Sequence, residues 1–328
     1  MHLNSMVFID ANPNSPIKQE HKESLQKTAP ECEILYFKSL DEMMDSRQSA
    51  DAVFIWPPVT PRFVQWCYDA PDLKWIHLLI SGVDSIMSTE AGKMDKLRIS
   101  STKGIHGPPM SDQALAYIFS FLRRIPSAVR SQIKREWDAG LMPKCAESFD
   151  KTVGLVGLGA IGQEIARKCK LLGMRVIAAK RNPIDCRWVD ECLSIQNLDA
   201  LLEQSDFVIL ILPLTAESRG MIGMEQLKRM KNSAYLINIA RGGIVDQNAL
   251  VDALRTGMIA GAALDVFKSE PLPPEDPLWD FDNVIITPHS APGSKYYMDR
   301  AVEVVTENIR RYLNDEPILY EVDKTAGI

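Results

Sequence analysis

The chain has 328 residues, more than one small domain usually holds, and this length predicts two domains. Hydrophobic residues make up 46% and charged residues 24% of the chain, as in an ordinary soluble globular protein. The formal net charge of −6 argues against nucleic acid or an anionic membrane as a partner. The longest apolar runs, such as residues 207–212, have the length of a strand, so no membrane span is predicted.

The beginning of the chain and its cysteines bear on the compartment. Residues 1–5 lead directly into a strand-like run without a basic stretch or a cleavage site, so we expect no signal peptide. The six cysteines are scattered without a C-x-x-C pair, which predicts reduced thiols, with Cys169 packed in a helix, and no metal site. These features favour the cytoplasm.

Short β-rich segments alternate with helical segments, which predicts parallel sheets with helices on both faces. In the first hundred residues the predicted strands are 6–9, 32–37, 52–56, 74–79 and 98–101. Helices are predicted between them at 16–27 and 61–69. Because this part has no phosphate-binding glycine turn, we expect a smaller, flavodoxin-like α/β lobe.

Two helices, 109–122 and 127–139, and a loop over 140–150 lead into the second half. The alternation then resumes at 152–156, 161–172, 175–179, 207–212, 235–239, 248–256, 260–266 and 284–287. A last amphipathic helix, 295–313, is expected to return to the first lobe. The predicted organisation is therefore a substrate domain of 1–102 and 293–328, with a dinucleotide-binding domain of 103–292 inserted in it.

A glycine turn stands between a buried-strand pattern and an apolar helix. It has the sequence Gly157-Leu158-Gly159-Ala160-Ile161-Gly162. The first glycine permits a tight turn, the second lets the backbone approach a pyrophosphate, and the third brings the helix against the strand. Because a helix N-terminus favours negative charge, this turn predicts a dinucleotide site.

The strand after the turn ends in Lys180-Arg181-Asn182, where an NAD-binding protein usually carries an acid. Two cations at the position that contacts the ribose suit a 2′-phosphate, which Arg can hold with two donors. The sequence therefore favours NADP(H) over NAD(H). In the alternative, Lys180 and Arg181 are solvated turn residues.

Three charged side chains follow predicted strands in the last third of the chain. They are Arg241, Glu270 and His289. A planar cation can hold a carboxylate and polarise a carbonyl, a carboxylate can orient an imidazole, and an imidazole can donate a proton. Downstream of a dinucleotide turn, this set predicts hydride transfer to the carbonyl of a 2-oxo acid. His106, in a Gly-Pro-rich segment, is a rival base for which a structural role is favoured.

The motifs resemble those of the D-isomer-specific 2-hydroxyacid dehydrogenases, in style closest to glyoxylate/hydroxypyruvate reductases. The resemblance rests on GLGAIG at 157–162, LPLT at 212–215, NIARGG at 238–243, ALDVF at 263–267, EP at 270–271 and TPHSA at 287–291. SGVD at 81–84 and GIHGPP at 104–109 also match, so the resemblance covers essentially the whole chain. It implies an α/β fold of two lobes, a Rossmann dinucleotide-binding domain inserted in a flavodoxin-like substrate domain.

The resemblance also implies roles for further residues. The backbone amides of Ser81, Gly82 and Val83 would bind the substrate carboxylate, and Asp265 would face the nicotinamide carboxamide. Other contacts to the cofactor are expected from Leu212, Pro213, Ser218, Ile239, Ala240 and Ala291. Members of this family usually pair through their nucleotide domains, which implies a homodimer.

The apolar helix 109–122, with Leu115, Ile118, Phe119 and Leu122, is the expected dimer contact. In the alternative, it is a core helix between the two lobes.

The leading hypothesis is an NAD(P)-dependent D-2-hydroxyacid dehydrogenase that reduces a small 2-oxo acid with NADPH. The alternative within the enzymes is an NAD-dependent 3-phosphoglycerate dehydrogenase; oxidation of formate or phosphite is a more distant one. The alternative of another class is a dinucleotide-sensing protein that resembles the corepressors of this family.

Overall fold

The computed structural model describes residues 3–10, 15–56 and 59–324. The chain forms two units: the first runs to His106 and resumes at Ser294, and the second spans Gly107–Gly293. The sequence-based domain boundaries fall at 102 and 292. Residues 103–106 stay with the first unit because Ile105 packs into its core and His106 is buried beside Ser81.

The strands, numbered along the chain, fall into one sheet in each unit. They are β1 (Ser5–Ile9), β2 (Glu33–Phe37), β3 (Ala52–Ile55), β4 (Trp75–Leu78), β5 (Arg98–Ser101), β6 (Thr152–Val156), β7 (Arg175–Lys180), β8 (Glu191–Ser194), β9 (Phe207–Leu210), β10 (Tyr235–Asn238), β11 (Gly261–Leu264) and β12 (Val284–Ile286).

Helices connect most of these strands. They are α1 (Gln19–Thr28), α2 (Leu40–Ser46), α3 (Pro61–Asp69), α4 (Asp84–Met87), α5 (Glu90–Lys93), α6 (Gly107–Leu122), α7 (Ile125–Lys134), α8 (Ala160–Leu171), α9 (Leu198–Gln204), α10 (Met224–Arg229), α11 (Gln247–Arg255) and α12 (Tyr297–Leu313). In the described ranges, none of these helices is long and apolar enough to cross a membrane.

The first unit is a five-stranded parallel sheet with the order β2-β1-β3-β4-β5. Successive residues of β1 face opposite sides of the sheet, so Phe8 joins the core under α1 and α12, while Val7 joins the core under α2 and α3. Val305 and Ile309 of α12 are fully buried in the core with Phe8. The predicted return of the last helix to the first lobe is confirmed.

The second unit is a seven-stranded parallel sheet with the order β12-β11-β10-β9-β6-β7-β8. Its strands are apolar on both faces because helices cover both: α6 and α8 pack on one side, and α9, α10 and α11 on the other. Cys169 of α8 is buried there, as predicted, and burial raises the pKa of its thiol to about 12.

Two helices of the second unit differ from the prediction. Within α6, Ile118 and Leu122 are buried in the core of the unit and Leu115 and Phe119 are half-buried against it, so the apolar face of this helix packs within the second unit. The following helix, α7, ends at Lys134 instead of residue 139, because Arg135 adopts a left-handed conformation with φ of 60°.

Candidate active site

In the second unit, each predicted cofactor-binding or catalytic residue lies at the end of a parallel strand or in the segment that follows it. Neighbouring strands finish in register, with Val156 opposite Ala179 and Leu210, Leu210 opposite Asn238, Asn238 opposite Leu264, and Leu264 opposite Ile286. The loops after β6, β7, β9, β10, β11 and β12 therefore leave the same edge of one sheet. The strand order reverses between β6 and β9, and ligands of open α/β sheets bind at such a point.

The glycine turn has the geometry of a phosphate cradle. Gly157 has φ of +109°, and a Cβ there would lie 2.3 Å from the carbonyl oxygen of Ile211. A Cβ on Gly162 would lie 2.7 Å from the carbonyl oxygen of Gly157, so α8 packs directly on the turn. A Cβ on Gly159, by contrast, would meet no atom within 4 Å. The open space is thus at the one glycine where a pyrophosphate has to approach the start of α8.

The two cations that were predicted to contact a 2′-phosphate lie at the end of β7 and directly after it. Lys180 is the last residue of the strand and half-buried, whereas Arg181 and Asn182 are exposed. Arg181 lies 3.9 Å from a carboxylate oxygen of Glu217, an exposed and weak ion pair. A hydrogen bond from the Thr215 hydroxyl, with a smaller contribution from Arg181, holds the pKa of Glu217 below its usual value.

The loop after β9 is braced by Ser218. Its buried hydroxyl donates to the carbonyl oxygen of Pro213 at 2.8 Å and accepts from the amide of Thr215 at 2.7 Å. The structure thus gives this side chain a role in shaping the loop that contains Leu212 and Pro213. Its direct contact with a cofactor stays a prediction.

The segment after β10 places Arg241 beside the next strand end. Asn238 fixes the turn through its side chain, which donates to the carbonyl oxygen of Arg241 at 3.0 Å and accepts from the amide of Ala240 at 3.1 Å. Ile239 and Ala240 are buried, whereas Arg241 is half-buried. A Cβ on Gly242 would lie 1.9 Å from the carbonyl carbon of Phe267, so the chain beyond Arg241 runs against the chain that leads to Glu270.

Asp265, at the end of β11, holds the loop that carries the candidate acid. One of its oxygens accepts from the amide of Ser290 at 2.8 Å and from the Thr287 hydroxyl, and the other accepts from the amide of Ala291 at 2.9 Å. The carboxylate is almost fully buried. A carboxylate oxygen can accept more than one bond, so the predicted contact with the nicotinamide carboxamide stays a prediction beside this bracing role.

Glu270 and His289 form a hydrogen-bonded pair. The Nδ1 atom of His289 lies 2.7 Å from Oε2 of Glu270, whose Oε1 accepts from the amide of Phe267 at 2.9 Å. Because an ionised carboxylate can only accept, Nδ1 carries the proton and Nε2 is the atom presented to a ligand. The His289 side chain is 43% exposed, so a ligand can reach it.

The backbone of His289 is held in an uncommon conformation. Its φ is +51°, in the left-handed region that costs a non-glycine residue on the order of 1 kcal/mol. The amide of His289 donates to the carbonyl oxygens of Asp265 and Thr287, at 2.9 and 3.0 Å. These two bonds, with the Asp265 carboxylate, hold the imidazole in one position.

Two residues that the sequence analysis did not assign support this loop. The hydroxyl of Tyr117, on α6, lies 2.5 Å from that of Thr287, which donates to Asp265. Thr287 has one proton and gives it to the carboxylate, so Tyr117 is the donor to Thr287. Burial raises the pKa of Tyr117 to about 12. Thr287 could have been noticed from its place before Pro288 and His289, but nothing in the sequence marked Tyr117.

The remaining predicted site residues, Ser81, Gly82 and Val83, belong to the first unit. They follow β4 and precede α4, and all three are half-buried.

Elsewhere in the first unit, Glu20, His21 and Asp299 offer ligand atoms within 4.8 Å of one another. The Asp299 oxygen already receives hydrogen bonds from Lys18 and His21, at 2.6 and 2.9 Å.

Comparisons with known proteins agree with this architecture. Residues 115–291 match the model of the D-isomer specific 2-hydroxyacid dehydrogenase, NAD binding domain. A glyoxylate reductase of Korarchaeum cryptofilum is 39% identical over 253 residues, which are 75% of this chain and 75% of that protein.

Two solved structures are similar over nearly the full length. A D-isomer specific 2-hydroxyacid dehydrogenase from Xanthobacter autotrophicus Py2, in complex with NADPH and MES, superposes with a TM-score of 0.83 at 30% identity and 100% coverage of both chains. An NADPH-dependent glyoxylate/hydroxypyruvate reductase from Sinorhizobium meliloti, in complex with NADP and sulfate, gives 0.81 at 28% identity and covers 99% of this chain and 100% of that one. The chain therefore belongs to the D-isomer-specific 2-hydroxyacid dehydrogenases, which are NAD(P)-dependent oxidoreductases.

Proposed function

We propose that this protein reduces a small 2-oxo acid, of the size of glyoxylate or hydroxypyruvate, to the D-2-hydroxy acid. The observation that carries the proposal is the His289–Glu270 pair at the same sheet edge as the open glycine turn. The reduced nicotinamide, when bound, supplies the hydride to the carbonyl carbon. Relatives named glyoxylate reductase support the choice of a short substrate.

The chain's own residues supply the proton and the positive charge. His289 gives the proton on Nε2 to the carbonyl oxygen, and the protonated ring is stabilised by Glu270 at 2.7 Å. The guanidinium of Arg241 holds the substrate carboxylate and polarises the carbonyl, and the amides of Ser81, Gly82 and Val83 bind the carboxylate. In oxidation, His289 accepts the proton from the hydroxyl group.

The reaction is tested by absorbance at 340 nm with a panel of acids. We expect turnover of glyoxylate and hydroxypyruvate, and a loss of about 100- to 10,000-fold in kcat for His289→Ala with cofactor binding retained, because proton transfer alone is removed. A preference for 3-phosphohydroxypyruvate, formate or phosphite would favour the other enzymes. Binding of cofactor without turnover of any acid would favour the dinucleotide-sensing protein.

We propose NADPH as the preferred cofactor, with NADH as a weaker one. Lys180 ends β7 and Arg181 follows it, at the place where an acid would repel a 2′-phosphate. The weak ion pair of Arg181 with Glu217 costs little free energy to break. Replacing both cations with neutral residues should raise KM for NADPH much more than for NADH. Equal losses for both cofactors, or a preference of the unmodified enzyme for NADH, would overturn the assignment.

We also propose a homodimer, with its contact on α7 and the segment after it. Ile125, Val129 and Ile133 recur every fourth residue on α7, which has no buried residue, and Trp137 and Met142 follow with 96% and 81% of their surfaces exposed. An apolar surface of this extent favours association. Light scattering should give twice 36.8 kDa, and Ile133→Glu with Trp137→Glu should halve that mass. A mass near 36.8 kDa for the unmodified protein would end the proposal.

A further inference from the structure

Three consecutive residues after β4 are each held by a different part of the first unit. The carbonyl oxygen of Leu79 accepts from the hydroxyl of Tyr297, at the start of α12. The carbonyl oxygen of Ile80 accepts from the amide of Thr102 at 3.2 Å, just after β5. Ser81, the third, is held through its side chain, whose Oγ lies 2.7 Å from Nδ1 of His106. The segment that leads into Gly82 and Val83 is thus fixed at every residue.

The single proton of the Ser81 hydroxyl determines which group donates in the contact between Ser81 and His106. Its Oγ also lies 3.4 Å from the carbonyl oxygen of Thr102, which can only accept. A hydroxyl has one proton, so both contacts are made together only if Nδ1 of His106 carries a proton and donates to Oγ, while Ser81 donates to Thr102. His106 then acts as a donor that fixes the position of the Ser81 side chain.

The surroundings of His106 hold its ring in place. The residue is only 5% exposed, and the ring meets that of Tyr297 edge to face, with 5.3 Å between the centroids. Tyr297 is the same residue that bonds Leu79. The imidazole and the phenol therefore contact each other and the same loop, His106 at Ser81 and Tyr297 at Leu79.

We infer that His106 is a positioning residue for substrate binding, which acts through the Ser81 hydroxyl to orient the amides of residues 81–83. The inference rests on the proposed function only in that these amides bind the substrate carboxylate. It gives His106 a positioning role that it exerts through Nδ1, the atom engaged with Ser81.

A double-mutant cycle tests the inference. Ser81→Ala keeps the backbone amide and removes the hydroxyl, and His106→Phe keeps a ring and removes the donor. Each should raise KM for glyoxylate about 5-fold, as expected for one lost hydrogen bond, with little change in KM for NADPH. The double variant should be no worse than either single one, because both remove the same contact. His106→Asn, which retains a donor close to the position of Nδ1, should restore most of the loss.

Hydrogen exchange gives a readout that does not depend on turnover. Amides of residues 79–87 should exchange about 5-fold faster in Ser81→Ala and in His106→Phe than in the unmodified protein. The matched control is His21→Phe, which breaks another buried histidine contact of the first unit, that with Asp299, and should leave both KM and this exchange unchanged.

The role of His106 would be overturned if KM for glyoxylate in the double variant rose by the product of the two single increases. Unchanged amide exchange at residues 79–87 in the single variants would also overturn it. Should the unmodified enzyme reduce no 2-oxo acid, the proposed function fails, and the exchange measurement alone decides whether His106 positions the loop.

Discussion

Glu270→Gln tests the candidate site because both oxygens of Glu270 are engaged. Oε2 accepts from Nδ1 of His289 at 2.7 Å, and Oε1 accepts from the amide of Phe267 at 2.9 Å. In place of these two oxygens, glutamine has one oxygen, which accepts, and one NH₂ group, which donates. If its oxygen stays on Phe267, its NH₂ group faces His289, and Nδ1 must lose its proton. If it turns over, its NH₂ group faces the Phe267 amide, and two donors oppose each other.

The orientation that keeps the Phe267 bond carries the smaller penalty, since a buried donor without an acceptor costs about 1–3 kcal/mol. In it the neutral imidazole carries its proton on Nε2, and no carboxylate remains to stabilise the protonated ring. Replacing the acid that pairs with a catalytic histidine by its amide lowers kcat by up to about 10,000-fold. We expect a kcat 100- to 10,000-fold lower for reduction, with KM for NADPH nearly unchanged.

The assay combines kinetics with nitrogen NMR of the histidine ring. The kinetics should show the loss in kcat, and the ring nitrogens of His289 should change from the Nδ1–H to the Nε2–H tautomer in the variant. Glu275→Gln is the matched control, because Glu275 is an exposed carboxylate of the same loop. A kcat within tenfold of the unmodified enzyme, or an Nδ1–H tautomer in the variant, would refute the reasoning.

Three further predictions follow from the turns and the buried core. Gly159→Ala should leave the melting temperature unchanged but raise KM for NADPH at least 10-fold, because the added methyl group meets no protein atom and fills the space a pyrophosphate needs. Gly242→Ala should instead lower the melting temperature and abolish turnover, since its Cβ would lie 1.9 Å from the backbone of Phe267; an unchanged melting curve would contradict this. Complete burial lowers the pKa of His77 from 6.5 to about 3, so its stabilising contribution is complete above pH 6.5 and falls as the pH decreases toward 3. Urea unfolding should therefore show about 2 kcal/mol less stability at pH 5 than at pH 7, and His77→Phe should flatten this dependence.

The secondary structure was predictable where local patterns are strong. Buried parallel strands such as β6 and β9 are continuous apolar runs, and α12 shows a helical repeat of apolar residues, so each was recognised within a few residues. The helices α2, α4, α5, α9 and α10 and the edge strand β8 were missed. They are four to seven residues long, and β8 is only half-buried with the sequence Glu-Cys-Leu-Ser, so their local signals are weak.

The surface that a helix buries was not predictable in the same way. The apolar residues of α6 suggested a dimer contact, but Ile118 and Leu122 pack inside the unit, and the exposed apolar residues lie on α7 and beyond it. An amphipathic pattern shows that a face is covered and not what covers it. The covering element is selected by the three-dimensional packing of segments distant in the sequence.

The sequence by itself determined the two-lobe α/β organisation, the glycine turn and the order of Arg241, Glu270 and His289, because each is marked by short motifs of consecutive residues. Only the tertiary structure decided the strand order, the pairing of His289 with Glu270 across 19 positions, and the use of Asp265 and Ser218 as braces. It also brought His106 to Ser81, 25 positions away. Apart from the Ser218 brace, which lies within one loop, these contacts arise because parallel strands finish in register at one edge and bring their loops together. That register depends on pairing between strands far apart in the sequence.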